Sequence, residues 1–224
     1  MSRFQQGSLL TQMKDLGFDV RQQARAEVLI EEALKTSEIE GERLDPSAVR
    51  SSVAQGLGLP TAGLVMKKNQ QADGVVQILL DATQNFKQTL TPERLFGWHA
   101  ALFPTGYSGM HKIRVAGWRD DRNGLMKVVS GPIGHEKVHY EAPPAECLAN
   151  EMSRFFSWWD ESQKEVDGLL LAGMAHLWFV AVHPFEDGNG RIARALTEMA
   201  LARDENLSIR YYSLSSQKIG RAHV

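Results

Sequence analysis

The sequence predicts an all-α fold with a small β-hairpin inserted ahead of a polar motif at a helix start. Three observations carry that expectation. Most of the 224 residues fall into runs of helical spacing bounded by capping residues. One stretch, 109–144, changes to β-branched residues, glycines and turn pairs. The longest apolar run, Leu169–Val182, is broken by His176 and falls short of the roughly 20 residues that cross a bilayer. It therefore reads as a buried helix.

The elements follow in order. In "VRQQARAEVLIEEALKTSEIEG", Ala24, Val28, Leu29 and Leu34 recur at roughly helical spacing, and Gly41 stops the run. A short helix follows Asp45-Pro46, a cap with proline in the first turn. "GLGLPTAGL" is a linker, "DGVVQILLDATQNF" an amphipathic helix, and "TPERLFGWHAALF" a helix capped by Thr91. Within 109–144 the pair Asn123-Gly124 is a hairpin signal. Two helices follow, Ala145–Glu161 and Gly168–Val182, and "GRIARALTEMALARD" is the last.

Composition narrows the function. The formal net charge is -2, which argues against binding nucleic acid through bulk charge. A single cysteine, Cys147, leaves no internal disulfide and suits a reducing compartment, most simply the cytoplasm. The first residues lack the pattern of a secretory signal, and no membrane association is expected.

The distinctive motif is "HPFEDGNGR", His183–Arg191. A proline forces the preceding residue out of helical geometry, so His183 sits at a fixed helix end. Phe185 is the one large apolar residue in the loop and anchors it. Gly188, Asn189 and Gly190 permit positive φ and leave backbone N–H groups uncovered where the next helix begins, which is an anion site. Arg191 and Arg194 share a face of that helix. Asp187 could hold a divalent cation against phosphate oxygens, and a histidine of near-neutral pKa can act as base. "DGNG" alone is a common turn. It lacks the remaining ligand positions of a calcium loop, and no Gly-Lys-Ser/Thr marks a Walker loop. The whole string with Arg194 is far more specific.

That string, "HPFEDGNGRIAR", resembles the signature of the Fic family, His-Pro-Phe-x-Asp/Glu-Gly-Asn-Gly-Arg-x-x-Arg, at every specified position. The resemblance extends from about Glu27 to the "YYSLSSQ" segment. It implies a Fic fold, helical with a β-hairpin flap before the motif, and transfer of AMP from ATP to a Ser, Thr or Tyr hydroxyl of a target protein or of the chain itself. His183 is then the base, Asp187 the Mg²⁺ ligand, and Gly188, Asn189 and Gly190 the phosphate cradle. Arg191 neutralises the β-phosphate and Arg194 holds the γ-phosphate. A branch that transfers phosphate carries lysine where this chain has Gly190, so the glycine favours AMP. The flap, Ser130–Tyr140 with Ile133 or His135 near its tip, would hold the target by strand addition.

Upstream, "TSEIEG" is by itself an acidic helix end. It resembles the family's inhibitory pattern Ser/Thr-x-x-x-Glu-Gly/Asn, through Thr36, Glu40 and Gly41. The resemblance implies that Glu40 pairs with Arg194 and misplaces the phosphates. A charge-assisted contact contributes roughly 1.5–3 kcal/mol, and about 2.7 kcal/mol of bias is about a hundredfold in population. In some relatives the same glutamate supports removal of AMP, so de-AMPylation or transfer of another phosphate-bearing group is the alternative activity. A non-catalytic scaffold is disfavoured because no motif position is lost.

The expected organisation is an N-terminal helical segment over 1–60 with the inhibitory motif, a Fic domain over 61–218, and an unrelated tail over 219–224. The codons ATC-GGA-AGA-GCA-CAC-GTC would encode that tail, "IGRAHV", and match a widely used sequencing adapter. The resemblance implies further helices at the C-terminus, often a winged helix, which alone would bring nucleic-acid binding. It also implies an additional N-terminal segment and regulation through a homo-oligomer.

Overall fold

A computed structural model of the chain describes residues 18–60, 68–122, 124–130, 132, 135, 137–162 and 165–217. Seven α-helices dominate these residues: α1 Phe18–Ile39, α2 Pro46–Gly56, α3 Gln70–Gln84, α4 Pro92–Leu102, α5 Leu148–Ser162, α6 Gly168–Val182 and α7 Asn189–Glu205. Two antiparallel strand pairs lie between α4 and α5. They are β1 Tyr107–Ser108 with β2 His111–Lys112, and β3 Lys127–Ser130 with β4 Lys137–Glu141. The all-α class with a β-hairpin insertion is therefore correct. Asn123, Ile133 and the 219–224 tail lie outside the described residues.

Caps set most of the boundaries. Asp45 accepts from the Ser47 N–H at 2.9 Å and starts α2, and Thr91 accepts from the Arg94 N–H at 3.2 Å and starts α4. Asn69 accepts from the N–H groups of Gln71 and Ala72, which opens α3 three residues before the expected Asp73. At the end of α1 the Glu42 N–H reaches the Ser37 carbonyl and the Gly41 N–H reaches the Glu38 carbonyl. Gly41 is left-handed at φ 80°. This is a Schellman stop, and it sets the direction in which Glu40 and Glu42 leave the helix.

The core is continuous. α7 is its axis, with Ile192, Ala193, Ala195, Leu196 and Met199 all fully buried. Phe155 and Trp159 from α5, Phe179 from α6 and Val75 and Ile78 from α3 pack into the same cluster. Ile30 and Ala33 of α1 and Val49 and Val53 of α2 join it too. The segment that bears Glu40 is thus seated on the same core that positions α7.

Two expectations change. α6 is apolar all round but buried on one face only. Leu171, Ala175, Phe179 and Val182 are inside, while Leu170, Met174 and Leu177 are exposed. Apolarity reports what a helix can bury, and its neighbours α5 and α7 cover only one side. The turn before Gly124 (φ 92°) closes through a Gly124 N–H bond to the Asp121 carbonyl, but it is not the hairpin loop. The β3–β4 pairing puts that loop between Ser130 and Lys137. A turn signal marks a reversal, and strand register decides which reversal closes a ladder.

Candidate active site

The site forms where α6 ends and α7 begins. The His183 N–H caps α6 on the Phe179 carbonyl at 3.0 Å. Its backbone adopts φ 50°, ψ 58°, so the residue before Pro184 is left-handed rather than extended as the proline rule suggests. Neighbouring groups hold it there. The Arg119 side chain, almost fully buried, donates from Nε to the His183 carbonyl at 2.7 Å and from Nη2 to the Pro143 carbonyl at 2.5 Å. The Arg119 N–H donates to the Pro184 carbonyl at 2.8 Å. Strain at a non-glycine left-handed residue persists only when its surroundings over-determine it.

The His183 imidazole is largely buried, and burial pushes its pKa below the usual histidine range, so the ring is neutral near pH 7. A neutral imidazole keeps one ring nitrogen bare, and that nitrogen is a proton acceptor.

Phe185 is fully buried and anchors the loop as expected, stacked on His99 with ring centroids 4.2 Å apart and planes 9° apart. His99 is a site residue that sequence reasoning missed. The Ala116 N–H donates to its Nδ1 at 3.2 Å, so Nε2 holds the proton and faces the Asp187 carbonyl at 3.2 Å. Burial drives its pKa down to about 4, so it serves as a neutral brace for the loop.

Asn189 is committed to the loop's own shape. Its Oδ1 accepts from the Phe185 N–H at 3.0 Å and its Nδ2 donates to the Phe185 carbonyl at 2.8 Å. Its side chain therefore shapes the cradle, and its backbone lies in it. Gly188 caps α7 at φ 81°, and a Cβ there would lie 2.9 Å from Phe103, so both backbone and space demand glycine. The N–H groups of the first α7 turn have no intrahelical acceptor by helix geometry and form the positive end of the helix dipole.

Asp187 is half-exposed. Its Oδ1 accepts from the Gly188 N–H at 2.5 Å and its Oδ2 from the Ser108 hydroxyl on β1. Glu186 turns outward and accepts from the Arg114 N–H at 3.2 Å. Among the described residues no cluster of three or more His, Cys, Asp or Glu is arranged to hold a metal.

Both arginines of α7 are nearly buried, and both face acids from the end of α1. Arg194 donates from Nε to Thr36 Oγ1 at 2.5 Å, and from Nη2 to the Thr36 carbonyl at 3.0 Å and Glu40 Oε1 at 2.6 Å. Arg191 donates from Nη1 to Glu42 Oε2 at 2.7 Å and lies 5.0 Å over the Phe103 ring. Its Nε is buried without a hydrogen-bond partner among the described residues. Glu40 also lies over the helix start, because any Cβ on Gly190 would fall on its carboxylate. Thr36, Glu40, Gly190 and Arg194 thus meet in one place. Glu42 is an addition that sequence reasoning did not supply.

The flap stands apart in character. β3 and β4 are exposed along nearly their whole length, including Val129, Val138 and Tyr140, and a bulge interrupts their register between Val128 and Val129. The Tyr140 hydroxyl donates to the Ala181 carbonyl at 2.8 Å, which ties the base of β4 beside His183. His135 is exposed in the connecting loop.

Comparison with known proteins bears on the family and the fold. The Fic/DOC family model matches residues 89–201, half of the chain, and a domain of unknown function (DUF4172) matches residues 1–59. The chain is 36% identical over 122 residues to a uridine 5'-monophosphate transferase of Xanthomonas campestris pv. campestris (strain 8004), covering 51% of this chain and 21% of that protein. It is 29% identical over 170 residues to the protein adenylyltransferase fic-1 of Caenorhabditis briggsae, covering 75% of this chain and 31% of that one. The chain therefore spans less than a third of the length of these relatives. A solved Fic domain containing signaling protein from Bacteroides thetaiotaomicron aligns with TM-score 0.66 at 18% identity, over 89% of this chain and 71% of that one. Fic-1 (aa134 - 508) from C. elegans aligns with TM-score 0.57 at 21% identity, over 88% and 55%. These structures share the fold, and the family match covers the residues that build the α6–α7 junction. The chain belongs to the Fic/DOC family.

Proposed function

We propose that this chain is an autoinhibited protein adenylyltransferase that moves AMP from ATP to a Ser, Thr or Tyr hydroxyl of a target protein or of itself. The observation that carries the reading is the start of α7. A glycine-lined helix N-terminus, two nearly buried arginines and a neutral histidine converge there, which suits a triphosphate. The names of the relatives, a protein adenylyltransferase and a uridine 5'-monophosphate transferase, support nucleotidyl transfer.

The chemistry follows from the positions. The bare nitrogen of His183 takes the proton of the target hydroxyl, whose oxygen bonds to the α-phosphorus as the bond to pyrophosphate breaks. The N–H groups at the α7 start and the two guanidiniums balance charge on the phosphates. Asp187 suits Mg²⁺, which binds through one or two carboxylates and takes its other ligands from phosphates and water. When bound, the cation neutralises phosphate charge. The buried Nε of Arg191, without a hydrogen-bond partner among the described residues, is a donor suited to a phosphate oxygen. The exposed β3–β4 flap beside His183 supports target capture by strand addition.

Inhibition is read from the end of α1. Arg194 cannot hold a γ-phosphate while Thr36 and Glu40 occupy it, and the Glu40 carboxylate repels phosphate from the helix start. The test compares wild type, Glu40→Gly and Glu40→Gly/His183→Ala with labelled ATP and Mg²⁺. Glu40→Gly is expected to raise self-labelling about a hundredfold. The second change should lower it again by at least a hundredfold, the lower end of what a general base contributes. Labelling of Glu40→Gly at the wild-type level overturns autoinhibition. Labelling from UTP and not from ATP reassigns the nucleotide, as the first relative's name would favour.

A further inference from the structure

We propose that residues 207–217 act as a strap that holds the inhibitory end of α1 in the site. The inference rests on the autoinhibited reading above and names what keeps that state in place. Its starting point is a set of buried charged groups for which the transfer reaction has no use.

α7 ends on Asn206, left-handed at φ 50°. The Leu207 N–H reaches the Ala202 carbonyl and the Asn206 N–H reaches the Arg203 carbonyl. This second Schellman stop reverses the chain and lays it back across α7 and α1. Two anchors then fix it. Arg210 is buried and donates from Nε to Glu198 Oε2 at 2.9 Å and from Nη1 to Glu205 Oε2 at 2.5 Å, both on α7. The Tyr212 hydroxyl adds a bond to Glu205 Oε1 at 2.5 Å. Three residues after Arg210 the strap takes hold of α1. Glu32, 4% exposed, accepts from the Ser213 hydroxyl at 2.6 Å, the Ser215 N–H at 3.2 Å and the Ser215 hydroxyl.

The spacing makes this a regulatory contact. Glu32, Thr36 and Glu40 are four residues apart in turn, so they run along one side of α1 toward the site. Arg194 and Glu198 are likewise four apart on α7. One turn of the two helices carries the contact on Arg194, and the adjacent turn carries the strap anchors. A cavity of about 270 Å³ is lined by Arg194, Glu32 and Glu198 together with Leu214 and Ser215 of the strap, so both sets of contacts border one space. A buried carboxylate that loses its donors is costly, and the simplest relief is for α1 to lift Glu32 toward water. Lifting it withdraws Thr36 and Glu40 from Arg194. Whatever displaces the strap therefore opens the nucleotide site without touching it.

Ser213→Ala/Ser215→Ala and, separately, Glu32→Gln are to be compared with wild type and Glu40→Gly. Self-labelling with ATP and Mg²⁺ is measured alongside hydrogen exchange of residues 30–40. Glu32→Gln keeps the shape of the anchor should the double serine variant fold poorly. Each strap variant is expected to raise labelling at least about tenfold, the effect of losing one hydrogen bond to a charged group, and the double serine variant loses two. Exchange in α1 should rise, and combination with Glu40→Gly should add little. If Glu40→Gly activates while both strap variants keep wild-type labelling and exchange, the strap proposal is overturned. If Glu40→Gly itself fails to activate, the autoinhibited reading falls. Exchange in α1 then decides the strap alone, and unchanged exchange overturns it.

Discussion

Arg194 and Arg191 start the same helix and are equally buried, yet different parts of the chain hold them. Arg194 is gripped by the last turn of α1 and the residue just beyond it, through the Thr36 hydroxyl, the Thr36 carbonyl and the Glu40 carboxylate. Arg191 meets Glu42 beyond the Schellman stop, with Asp187 farther off at 3.8 Å. The two acids are equally exposed, with 31% of each side chain accessible, so burial does not separate them. The number and direction of donors does. Arg194 is held by a geometry that a helix enforces, Arg191 by one hydrogen-bonded acid on an irregular segment and a longer pair to Asp187. The expected order of release on nucleotide entry is Glu42 first and Glu40 last.

That comparison can be broken by substitution. The largest effect is expected from Glu40→Gly, the hundredfold rise described above. Thr36→Val removes one hydrogen bond to a charged group and keeps the side chain's shape, so self-labelling should rise about tenfold. An equal or larger effect from Glu42 would overturn the proposed asymmetry. Glu42→Gln breaks one partly exposed pair, and such pairs are worth about 1 kcal/mol or less, so labelling should rise no more than about fivefold. The apparent affinity for ATP should register it more than the turnover does.

The smallest effect is expected from pH. The folded pKa of His183 lies below its ordinary value, so the ring stays neutral as pH falls through 6.5 and is lost as a base only at more acidic pH. Labelling by Glu40→Gly at pH 6.5 should be within about twofold of that at pH 7.5. Stability behaves differently because of His99. Its folded pKa of about 4 is depressed relative to the unfolded chain, so its stabilising effect is complete above about pH 6.5. It is lost as pH falls from there toward 4, where the unfolded chain binds the extra proton. A thermal melt that holds its midpoint down to pH 4.5 would remove His99 from the brace.

Much of this molecule is legible in the sequence because much of it is local. Asp45, Thr91 and Gly41 act within four residues of themselves, and helix boundaries followed from them. The candidate site is legible for the same reason, since His183, Asp187, Gly188, Asn189, Gly190, Arg191 and Arg194 are neighbours in the chain. Glu40 was reached only through resemblance to a family pattern. Ser108, Arg119 and His99 escaped notice because they touch the loop from 79, 64 and 88 residues away. Each is also a common residue in an unremarkable stretch. The Asn123-Gly124 signal misled in the opposite way, because the strand pairs among the described residues close elsewhere, at 109–110 and between Ser130 and Lys137.

The sequence alone determined a helical chain with a hairpin insertion, a glycine-rich helix start carrying two arginines, and an acidic pattern upstream of it. Only the tertiary structure decided which acid meets which arginine, that Asn189 shapes the loop with its side chain, and that the chain after α7 reaches back to α1. The physical reason is range. Caps, glycine turns and helix periodicity act over one turn of backbone. The pairing of Glu42 with Arg191 spans 149 residues, and that of Ser213 with Glu32 spans 181. Those meetings exist only once α1, α3 and α7 share a core, because packing, not local preference, sets which buried polar groups must satisfy one another.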